Sequence, residues 1–510
     1  MALACIYSRA RIGLESPLVT IEVHLCTGLP GFHIVGLAET SVKESKDRVR
    51  SALLNCGYSF PSEKIVVNLA PADLPKEGGR FDLPIAIGIL AASDQIPTTE
   101  LAQYEFAGEL ALSGELRPII GEIPLAIASR NEQRTLILPY KNAQQACWVN
   151  DAAIISLQHL KQLFPHFARQ QLLPLQSNKS PELDVDENKI CIDDIADVMG
   201  QPMAKRALEI AASGSHNLLF VGPPGTGKTM LASRLPGILP PMTKEESLET
   251  AAIHSICSTA FDHKHWLQRP FRAPHHTASS AALVGGGAQP NPGEISLAHN
   301  GVLFLDELPE YDRKVLDVLR EPMESGEVTI SRVMHKTTYP AKFQLVAAMN
   351  PSPTGFYNDN RSTPEQILRY LSKLSGPFLD RIDIQLEVAR LPKGLWNKTN
   401  ANNETSEVIR ARVKTCREIQ LARQGKANAH LSSPELKVHC HLSIEDCEFL
   451  ELAVEKLGLS TRAHHKILKI ARTIADMQGL EDIARENIIE ALSYRAMDRL
   501  IQHLTASLSA

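Results

Sequence analysis

The chain has 510 residues, of which 44% are hydrophobic and 22% are charged, as expected of several folded domains with full-sized cores. It contains 53 Lys and Arg against 58 Asp and Glu, a formal charge of −5, which excludes a protein coated with basic charge but not one with locally basic nucleic-acid contacts. Its 9 dispersed cysteines, the lack of an apolar run of ~18 residues and a start without a signal-peptide pattern predict a reduced, cytoplasmic protein.

The first region, residues 1–176, predicts an α+β domain. Residues 18–23 and 64–69 have the apolar pattern of strands, residues 41–55 have a helical pattern, and turns rich in Pro and Gly separate them. The polar, acidic residues 177–189 that follow predict a solvated linker.

The second region, residues 190–396, alternates strand and helix patterns, which indicates an α/β core. Its apolar runs at residues 217–221, 302–305 and 344–348 suit a parallel sheet that is covered on both faces.

A polar insertion, residues 397–406, precedes a third region, residues 407–510, whose pattern is helical throughout. Within it, Ser443 and Ser460 predict two helix starts, because a Ser side chain accepts a hydrogen bond from the first turn. Gly458 between them predicts the end of the first of these helices.

The strand at residues 218–221 runs into a segment that fills every fixed position of a phosphate-binding loop, the P-loop. Its residues are Gly222, Pro223, Pro224, Gly225, Thr226, Gly227, Lys228 and Thr229, and Met230 opens a helical pattern. In such a loop, backbone N–H groups and the helix N-terminus hold phosphate oxygens. We therefore expect Lys228 to reach the β- and γ-phosphates and Thr229 to bind Mg²⁺. A surface loop rich in Gly and Pro would not require the strand before it and the helix after it.

Two other buried strands end in polar residues. Asp306 and Glu307 follow one of them, at the edge of the sheet where ligands bind in open α/β folds. Asp306 is expected to hold Mg²⁺, and Glu307 to orient and polarise the attacking water. Asn350 follows the next strand and is placed to position the water or the γ-phosphate, although alone it is more simply explained as a turn residue before Pro351.

In this order, the motifs resemble those of the AAA+ ATPase superfamily. The resemblance implies that Asn350 is sensor 1, that Arg381 is an arginine finger for the neighbouring subunit's nucleotide, and that Arg462 is sensor 2 on a helical lid. Gly200 and Gln201 resemble residues that line the adenine. Each arginine has the alternative of a solvated charge or a local ion pair. A finger that acts in trans implies a ring, because the site is complete only between subunits.

Further motifs narrow the resemblance and extend it over nearly the whole chain. They are residues 271–276 (FRAPHH), 282–287 (ALVGGG), 292–299 (PGEISLAH), 301–309 (GVLFLDELP), 31–37 (GFHIVGL), 67–73 (VNLAPAD) and 106–110 (FAGEL). They identify the chain as a member of the magnesium-chelatase-like ATPases, in the ComM/YifB competence-protein family. Membership implies a hexameric helicase that uses ATP and Mg²⁺ to drive branch migration in natural transformation, with single-stranded and branched DNA and recombination proteins as partners.

The first region resembles the protease domain of Lon, a fold of the ribosomal S5 domain 2 type. Lon needs a nucleophilic Ser after a Gly-rich turn and a Lys that activates it. The corresponding residues 77–82 contain no Ser, and residues 121–124 contain no Lys. We therefore expect no peptidase activity.

Two stretches, residues 269–297 and 327–339, resemble insertions into the ATPase core. In this clade such insertions form pore loops and a hairpin, so Arg332 and Lys336 are expected to contact DNA phosphates. An ordinary solvated hairpin explains the second stretch equally well. The adjacent His275 and His276 are expected to have a loop role rather than to share a metal ion, because neighbours in a strand point to opposite sides.

Two other functions stay open at the level of sequence. One is a subunit that uses ATP to insert Mg²⁺ into a porphyrin, as magnesium chelatases do. The other is a remodelling enzyme that acts on protein clients. Stimulation of the ATPase by DNA or by unfolded protein, and a porphyrin-insertion assay, distinguish the three.

Overall fold

The computed structural model describes residues 3–37, 39–177, 193–257, 266–287, 290–331, 336–356, 362–391 and 403–509. The chain divides into two compact units, one of Met1–Lys189 with Lys244–Trp266, the other of Ile190–Thr243 with Leu267–Ala510. The described residues 244–257 and Trp266, which the sequence analysis placed in the ATPase core, therefore pack with the amino-terminal part of the chain. Beyond Ser177, the predicted linker lies outside the described residues.

The strands of the first unit end at β9, and those of the second begin at β10. They are β1 (Leu3–Arg9), β2 (Leu18–Cys26), β3 (Gly31–Val35), β4 (Lys64–Ala70), β5 (Tyr104–Phe106), β6 (Glu109–Leu110), β7 (Leu116–Arg117), β8 (Thr135–Pro139), β9 (Ile154–Leu157), β10 (Leu218–Val221), β11 (Phe271–Arg272), β12 (Gly285–Gly286), β13 (Asn291–Pro292), β14 (Val302–Leu305), β15 (Glu327–Ser331), β16 (Lys336–Pro340), β17 (Gln344–Met349) and β18 (Ile384–Glu387).

The α-helices lie between these strands and dominate the carboxyl-terminal part. They are α1 (Thr40–Lys43), α2 (Ser45–Asn55), α3 (Asp82–Ala92), α4 (Glu122–Asn131), α5 (Tyr140–Ala146), α6 (Leu163–Phe167), α7 (Pro202–Gly214), α8 (Lys228–Ile238), α9 (Lys244–Ile256), α10 (Ser280–Val284), α11 (Glu294–Leu297), α12 (Arg313–Asp317), α13 (Arg320–Ser325), α14 (Pro364–Leu371), α15 (Gly376–Leu379), α16 (Ser406–Gln424), α17 (Ser433–His439), α18 (Ile444–Lys456), α19 (Thr461–Met477), α20 (Arg485–Ser493) and α21 (Ala496–Ser509). Within the described part of the chain, no helix combines the length and apolar character needed to cross a membrane.

The first unit is built on a 7-stranded mixed sheet in the order β3-β4-β2-β1-β5-β8-β9. The fully buried helix α3 packs against β1 and β2. The predicted strands and helix are confirmed, although the helical pattern is divided into α1 and α2. Helix α9 packs against α4, and the backbone N–H of Gly121 donates to the carbonyl of Ser255 at 3.0 Å. This packing explains why α9 belongs to the first unit.

The second unit contains a 5-stranded parallel sheet in the order β11-β14-β17-β10-β18. Strands β10, β14 and β17 are buried along their whole length, which confirms the prediction from their continuous apolar runs. Helix α19 packs on α7, α16 and α20. Ser443 and Ser460 cap α18 and α19, and α18 ends just before Gly458, as predicted.

The predicted insertions differ from the structure at their boundaries. Residues 269–297 begin inside the core, because β11 is the edge strand beside β14. Two residues are too short a run to show a strand pattern in the sequence. The insertion itself consists of α10, the β12–β13 hairpin and α11. The second insertion forms the β15–β16 hairpin, in which Ser331 pairs with Lys336, and Arg332 lies outside the described residues.

The polar insertion at 397–406 ends earlier than predicted. Helix α16 already begins at Ser406, and the Asn403 amide donates to the carbonyl of Ala196 at 2.8 Å. The Ser406 hydroxyl in turn lies 3.1 Å from an oxygen of Asp194. At the described end of this stretch, Asn403 and Ser406 are polar because they bond to the turn at residues 194–198.

Candidate active site

Polar residues from three motifs meet at one edge of the parallel sheet. Because β14, β17 and β10 are neighbours and run in the same direction, their carboxyl ends lie side by side. The P-loop follows β10, Asp306 and Glu307 follow β14, and Asn350 follows β17. The hydrogen bonds described below join these three segments into a single site.

The backbone of the P-loop depends on glycine at two kinds of position. A Cβ atom on Gly222 would lie 2.4 Å from the carbonyl oxygen of Val388, so no larger residue fits there without a shift. Gly227 has a φ of 85° immediately before α8, in the left-handed region that favours glycine. The loop thus turns tightly into a helix N-terminus, whose partial positive charge favours anions.

The segment predicted to line the adenine lies beside this loop. The Gln201 side chain donates to the carbonyl of Ala389 at 2.7 Å, and Ala389 follows Val388, the neighbour of Gly222. Gly200 and Gln201 both have positive φ values, 61° and 54°, in the turn that starts α7.

Lys228 is buried, and its ammonium group bonds within the protein. Its Nζ donates to the carbonyls of Gly222 at 2.7 Å and Pro223 at 3.0 Å, and to Oδ1 of Asn350 at 3.2 Å. Burial lowers the pKa of Lys228, while the nearby charges of Asp306 and Glu307 act in the opposite direction. Phosphate oxygens are stronger acceptors than these neutral groups, so the amine is poised to exchange them for a nucleotide.

Thr229 and Asp306 present two hard oxygen ligands side by side. The Thr229 hydroxyl donates to Oδ2 of Asp306 at 2.6 Å. Two adjacent oxygens of an octahedral Mg²⁺ site lie about 2.9 Å apart, since each is bound at 2.0–2.1 Å. The pair therefore needs to separate by only a few tenths of an ångström to share an ion, and Mg²⁺ commonly takes one or two protein oxygens besides phosphates and water.

Glu307 has a left-handed backbone, with φ 52° and ψ 46°. Its N–H donates to Oδ1 of Asp306 at 2.9 Å, and its carboxylate lies 3.3 Å from Nδ1 of His276. The side chain stays 54% exposed, so water has access to it. A non-glycine residue held in this conformation is typical of functional sites, where the surrounding structure maintains the strain.

The two adjacent histidines turn towards each other rather than to opposite sides. Their ring centroids are 4.1 Å apart, because the chain after β11 forms a turn and not a strand. The two residues thus lie in a loop, as expected, but the argument from strand alternation does not apply to them. The Tyr311 hydroxyl fixes this turn by donating to the carbonyl of Pro274 at 2.6 Å, and burial followed by the charge of Asp306 raises the pKa of Tyr311 to about 12. The sequence interpretation missed Tyr311, whose only signal was an aromatic residue shortly after the Asp-Glu pair.

Arg381 follows α15 and is largely buried. One terminal nitrogen, Nη2, pairs with Glu324 at 2.6 Å, and Nη1 donates to the carbonyl of Pro377, also at 2.6 Å. The carbonyl of Arg381 accepts a hydrogen bond of 3.0 Å from the side chain of Asn217, which precedes β10. The predicted finger is thus held in an ion pair within its own chain, and no sequence pattern pointed to Glu324 as its partner.

The lid helix α19 reaches the same segment with two cations. The exposed Arg462 lies 3.6 Å from Asp380, and Lys466 donates to the carbonyl of Ile382 at 3.0 Å. Lys466 also lies 3.5 Å from Asp383, and burial lowers its pKa to about 8 despite that carboxylate. Burial alone would raise the pKa of Asp383, but Lys466 and His216 lower it below its ordinary value. The sequence interpretation identified Arg462 and missed Lys466.

Of the two residues predicted to contact DNA, the structure describes Lys336. It lies exposed at the start of β16, opposite Ser331. The contact of Lys336 with DNA stays a prediction.

Comparisons with known proteins find similarity to magnesium chelatase subunits in all three regions of the chain. Family models described as magnesium chelatase subunit ChlI match residues 194–395 and, under a second model, residues 21–142, and a model of the ChlI carboxyl-terminal part matches residues 403–495. The chain is 56% identical to the competence protein ComM of Haemophilus influenzae over 99% of this chain and 100% of that protein. It is 52% identical to YifB of Escherichia coli over 99% of both chains. A magnesium-chelatase 38 kDa subunit of Cereibacter sphaeroides is 24% identical over 58% of this chain and 90% of that subunit.

Proposed function

The chain belongs to the ComM/YifB family of magnesium-chelatase-like proteins, and from this premise we propose that it is a cytoplasmic AAA+ ATPase that drives a DNA motor. The observation that carries the proposal is the meeting of Lys228, Thr229 and Asp306 at one sheet edge, with Glu307 and Asn350 beside them. The motor is a homohexameric helicase that promotes branch migration while incoming DNA recombines during natural transformation. The name of the Haemophilus influenzae relative, a competence protein, supports this setting.

The residues of the site have different roles in ATP hydrolysis. The P-loop backbone and Lys228 bind the phosphates. Thr229 and Asp306 would hold Mg²⁺, which would supply positive charge next to the γ-phosphate. Glu307 accepts hydrogen bonds from the attacking water and orients it in line with the γ-phosphate. To do so it turns from His276 towards the nucleotide. Asn350 holds the γ-phosphate or that water once Lys228 releases its amide oxygen.

Arg381 acts on the nucleotide of the neighbouring subunit, and Arg462 senses the γ-phosphate. Arg462 lies 3.6 Å from Asp380, the residue before Arg381. Positive charge placed there stabilises the charge that develops on the transferred phosphoryl group. Because each site needs residues from two chains, hydrolysis depends on ring formation.

A mixing experiment tests this arrangement directly. Arg381→Ala chains keep an intact P-loop and Glu307 but offer no finger, whereas Glu307→Gln chains offer a finger but do not hydrolyse ATP. Each variant alone should be nearly inactive, and a 1:1 mixture should recover activity at about a quarter of the sites if chains mix at random. The matched control replaces the second chain with the double variant Glu307→Gln/Arg381→Ala, which should give no recovery. A mixture as inactive as this control would refute a finger that acts in trans.

DNA as the substrate is tested separately. We expect ATP-dependent strand displacement on forked and three-strand junctions, and ATPase stimulation by single-stranded and branched DNA. Stimulation by unfolded protein alone would favour a remodelling enzyme. Activity in porphyrin metallation with partner subunits would favour a chelatase, in line with the name of the Cereibacter sphaeroides relative.

The first unit has a Lon-like fold that has lost peptidase function. In its Gly-rich stretch, Arg80 is buried and donates to the carbonyl of Ile120, while Asp82 pairs with Arg48 at 2.7 Å. A buried guanidinium cannot act as the nucleophile that cleavage requires. Cleavage of an unfolded protein by the purified chain would refute this assignment.

A further inference from the structure

The positive charge of Arg381 is paired with a carboxylate on α13, the helix that leads into the predicted DNA-contacting hairpin. Glu324 lies on α13, and its carboxylate is 2.6 Å from Nη2 of Arg381. The Glu324 side chain is 66% exposed, whereas that of Arg381 is 16% exposed. After Glu324, the chain passes through Gly326, whose φ is 72°, directly into the β15–β16 hairpin. The predicted finger is therefore anchored at the base of a predicted DNA-contacting loop.

The β15–β16 hairpin that follows Glu324 packs against the first insertion, which contains the β12–β13 hairpin. The N–H of Ala341 donates to the carbonyl of Gly326 at 2.7 Å and closes the base of the hairpin. The Tyr339 hydroxyl donates to the carbonyl of Pro290 at 2.5 Å, next to the β12–β13 hairpin. A Cβ atom on Gly285 would lie 2.9 Å from Cδ1 of Ile330, which shows how closely the two hairpins pack. The two insertions thus form one block that ends at α13.

We propose that Glu324 is a latch for Arg381: it keeps the guanidinium within its own chain in the absence of DNA, and it releases the finger to the neighbouring nucleotide when DNA displaces the hairpin block. The inference rests on the proposed function, because it takes Arg381 as the trans-acting finger and the hairpins as the DNA-contacting loops. Glu324 touches no reacting atom, so it is a positioning residue.

The exposure of the pair makes such a latch reversible. An ion pair with one solvent-exposed partner shifts the equilibrium between the paired and the released arginine by at most roughly fivefold. A triphosphate carries more charge and more acceptor oxygens than one carboxylate, so it competes well for the guanidinium once the finger faces a neighbour. Nη1 of Arg381 bonds to the carbonyl of Pro377 in α15, and this bond does not depend on Glu324.

The first test measures ATP turnover with and without single-stranded DNA. Glu324→Gln keeps the shape of the side chain and removes its charge. We expect its DNA-free turnover to rise about two- to fivefold while its DNA-saturated turnover stays at the wild-type level, so that the stimulation ratio falls. Glu321→Gln is the matched control, because Glu321 is an exposed carboxylate on the same helix. If Glu324→Gln and Glu321→Gln have the same DNA-free rate, the latch is refuted.

The second test asks which chain must carry the change. In the mixture of Glu307→Gln and Arg381→Ala chains, Glu324→Gln should raise DNA-free turnover only when it is placed on the Glu307→Gln chain, which donates the finger. An equal effect from the Arg381→Ala chain would overturn the proposal, since that chain has no finger to release. The proposed function fails in a different way: Arg381→Ala chains alone would then keep full turnover, whatever Glu324 does.

Discussion

Glycine in place of Glu307 is expected to abolish ATP hydrolysis and yet give a more stable fold than alanine at the same position. The backbone of Glu307 has φ 52° and ψ 46°, which only glycine adopts without steric cost. A residue with a Cβ atom destabilises the folded state by about 1–2 kcal/mol in this conformation. Replacing it with glycine removes that cost, but the greater freedom of glycine in the unfolded chain lowers the stability by about 0.5–1 kcal/mol. The net expectation is a free energy of unfolding that is higher for Glu307→Gly than for Glu307→Ala by up to about 1.5 kcal/mol.

The comparison isolates the backbone, because both variants lose the carboxylate and its contact with His276. Urea denaturation gives the difference in the free energy of unfolding, with equal slopes as a check that the unfolding transition is unchanged. Glu365, an exposed residue in the first turn of α14, is the control position, where alanine should be the more stable replacement. Both Glu307 variants should bind ATP and hydrolyse it at least about 100-fold more slowly than the wild type. An alanine variant at least as stable as the glycine variant would show that the backbone of Glu307 is not strained.

Three further outcomes follow from single side chains. Lys228→Met should remove ATP binding in a fluorescent-nucleotide titration, because the only cation placed by the P-loop itself is lost. Gly222→Ala places a methyl group 2.4 Å from the carbonyl oxygen of Val388, so we expect a loss of about 1–3 kcal/mol in the free energy of unfolding and weaker ATP binding in the same titration. Burial raises the pKa of Glu122 to about 7 in the folded protein, so the fold favours the protonated carboxyl. The resulting contribution to stability is fully present below the pKa that Glu122 has in the unfolded chain, and it is lost as the pH rises through about 7. Glu122→Gln should therefore stabilise the protein against urea at pH 8, by at most about 3 kcal/mol, and have little effect at pH 5; an equal gain at both values would contradict the assignment.

The parts of the site that lie on consecutive residues were predictable from the sequence. Each of the strands β10, β14 and β17 is a continuous apolar run followed at once by polar residues, and this local pattern fixes both the strand and the edge of the sheet. The glycines of the P-loop carry their conformational requirement in the residue type itself. Lys228 and Asp306 could thus be placed together before any coordinates were known.

The contacts between distant elements were not predictable in the same way. No periodicity connects His276 with Glu307, or Glu324 with Arg381, since each pair joins separate loops and helices. The same reason explains why α9 was placed with the wrong unit: an amphipathic helix shows that it has a buried face but not which surface covers that face.

The contacts of the finger segment also suggest how one subunit's nucleotide influences the next. The side chain of Asn217 donates to the carbonyl of Arg381 at 3.0 Å, and the N–H of Asp383 donates to the carbonyl of Asn217 at 3.1 Å. Asn217 immediately precedes β10, and Gly222 of the P-loop immediately follows it, so a single strand about 13 Å long separates the two. Under the proposed mechanism, a shift of the P-loop on nucleotide binding would reach the finger segment through this buried strand and the hydrogen bonds of Asn217. Under the proposed trans mechanism, each subunit's own nucleotide then sets the position of the arginine that it offers to its neighbour, which is the coupling that sequential hydrolysis around a ring requires.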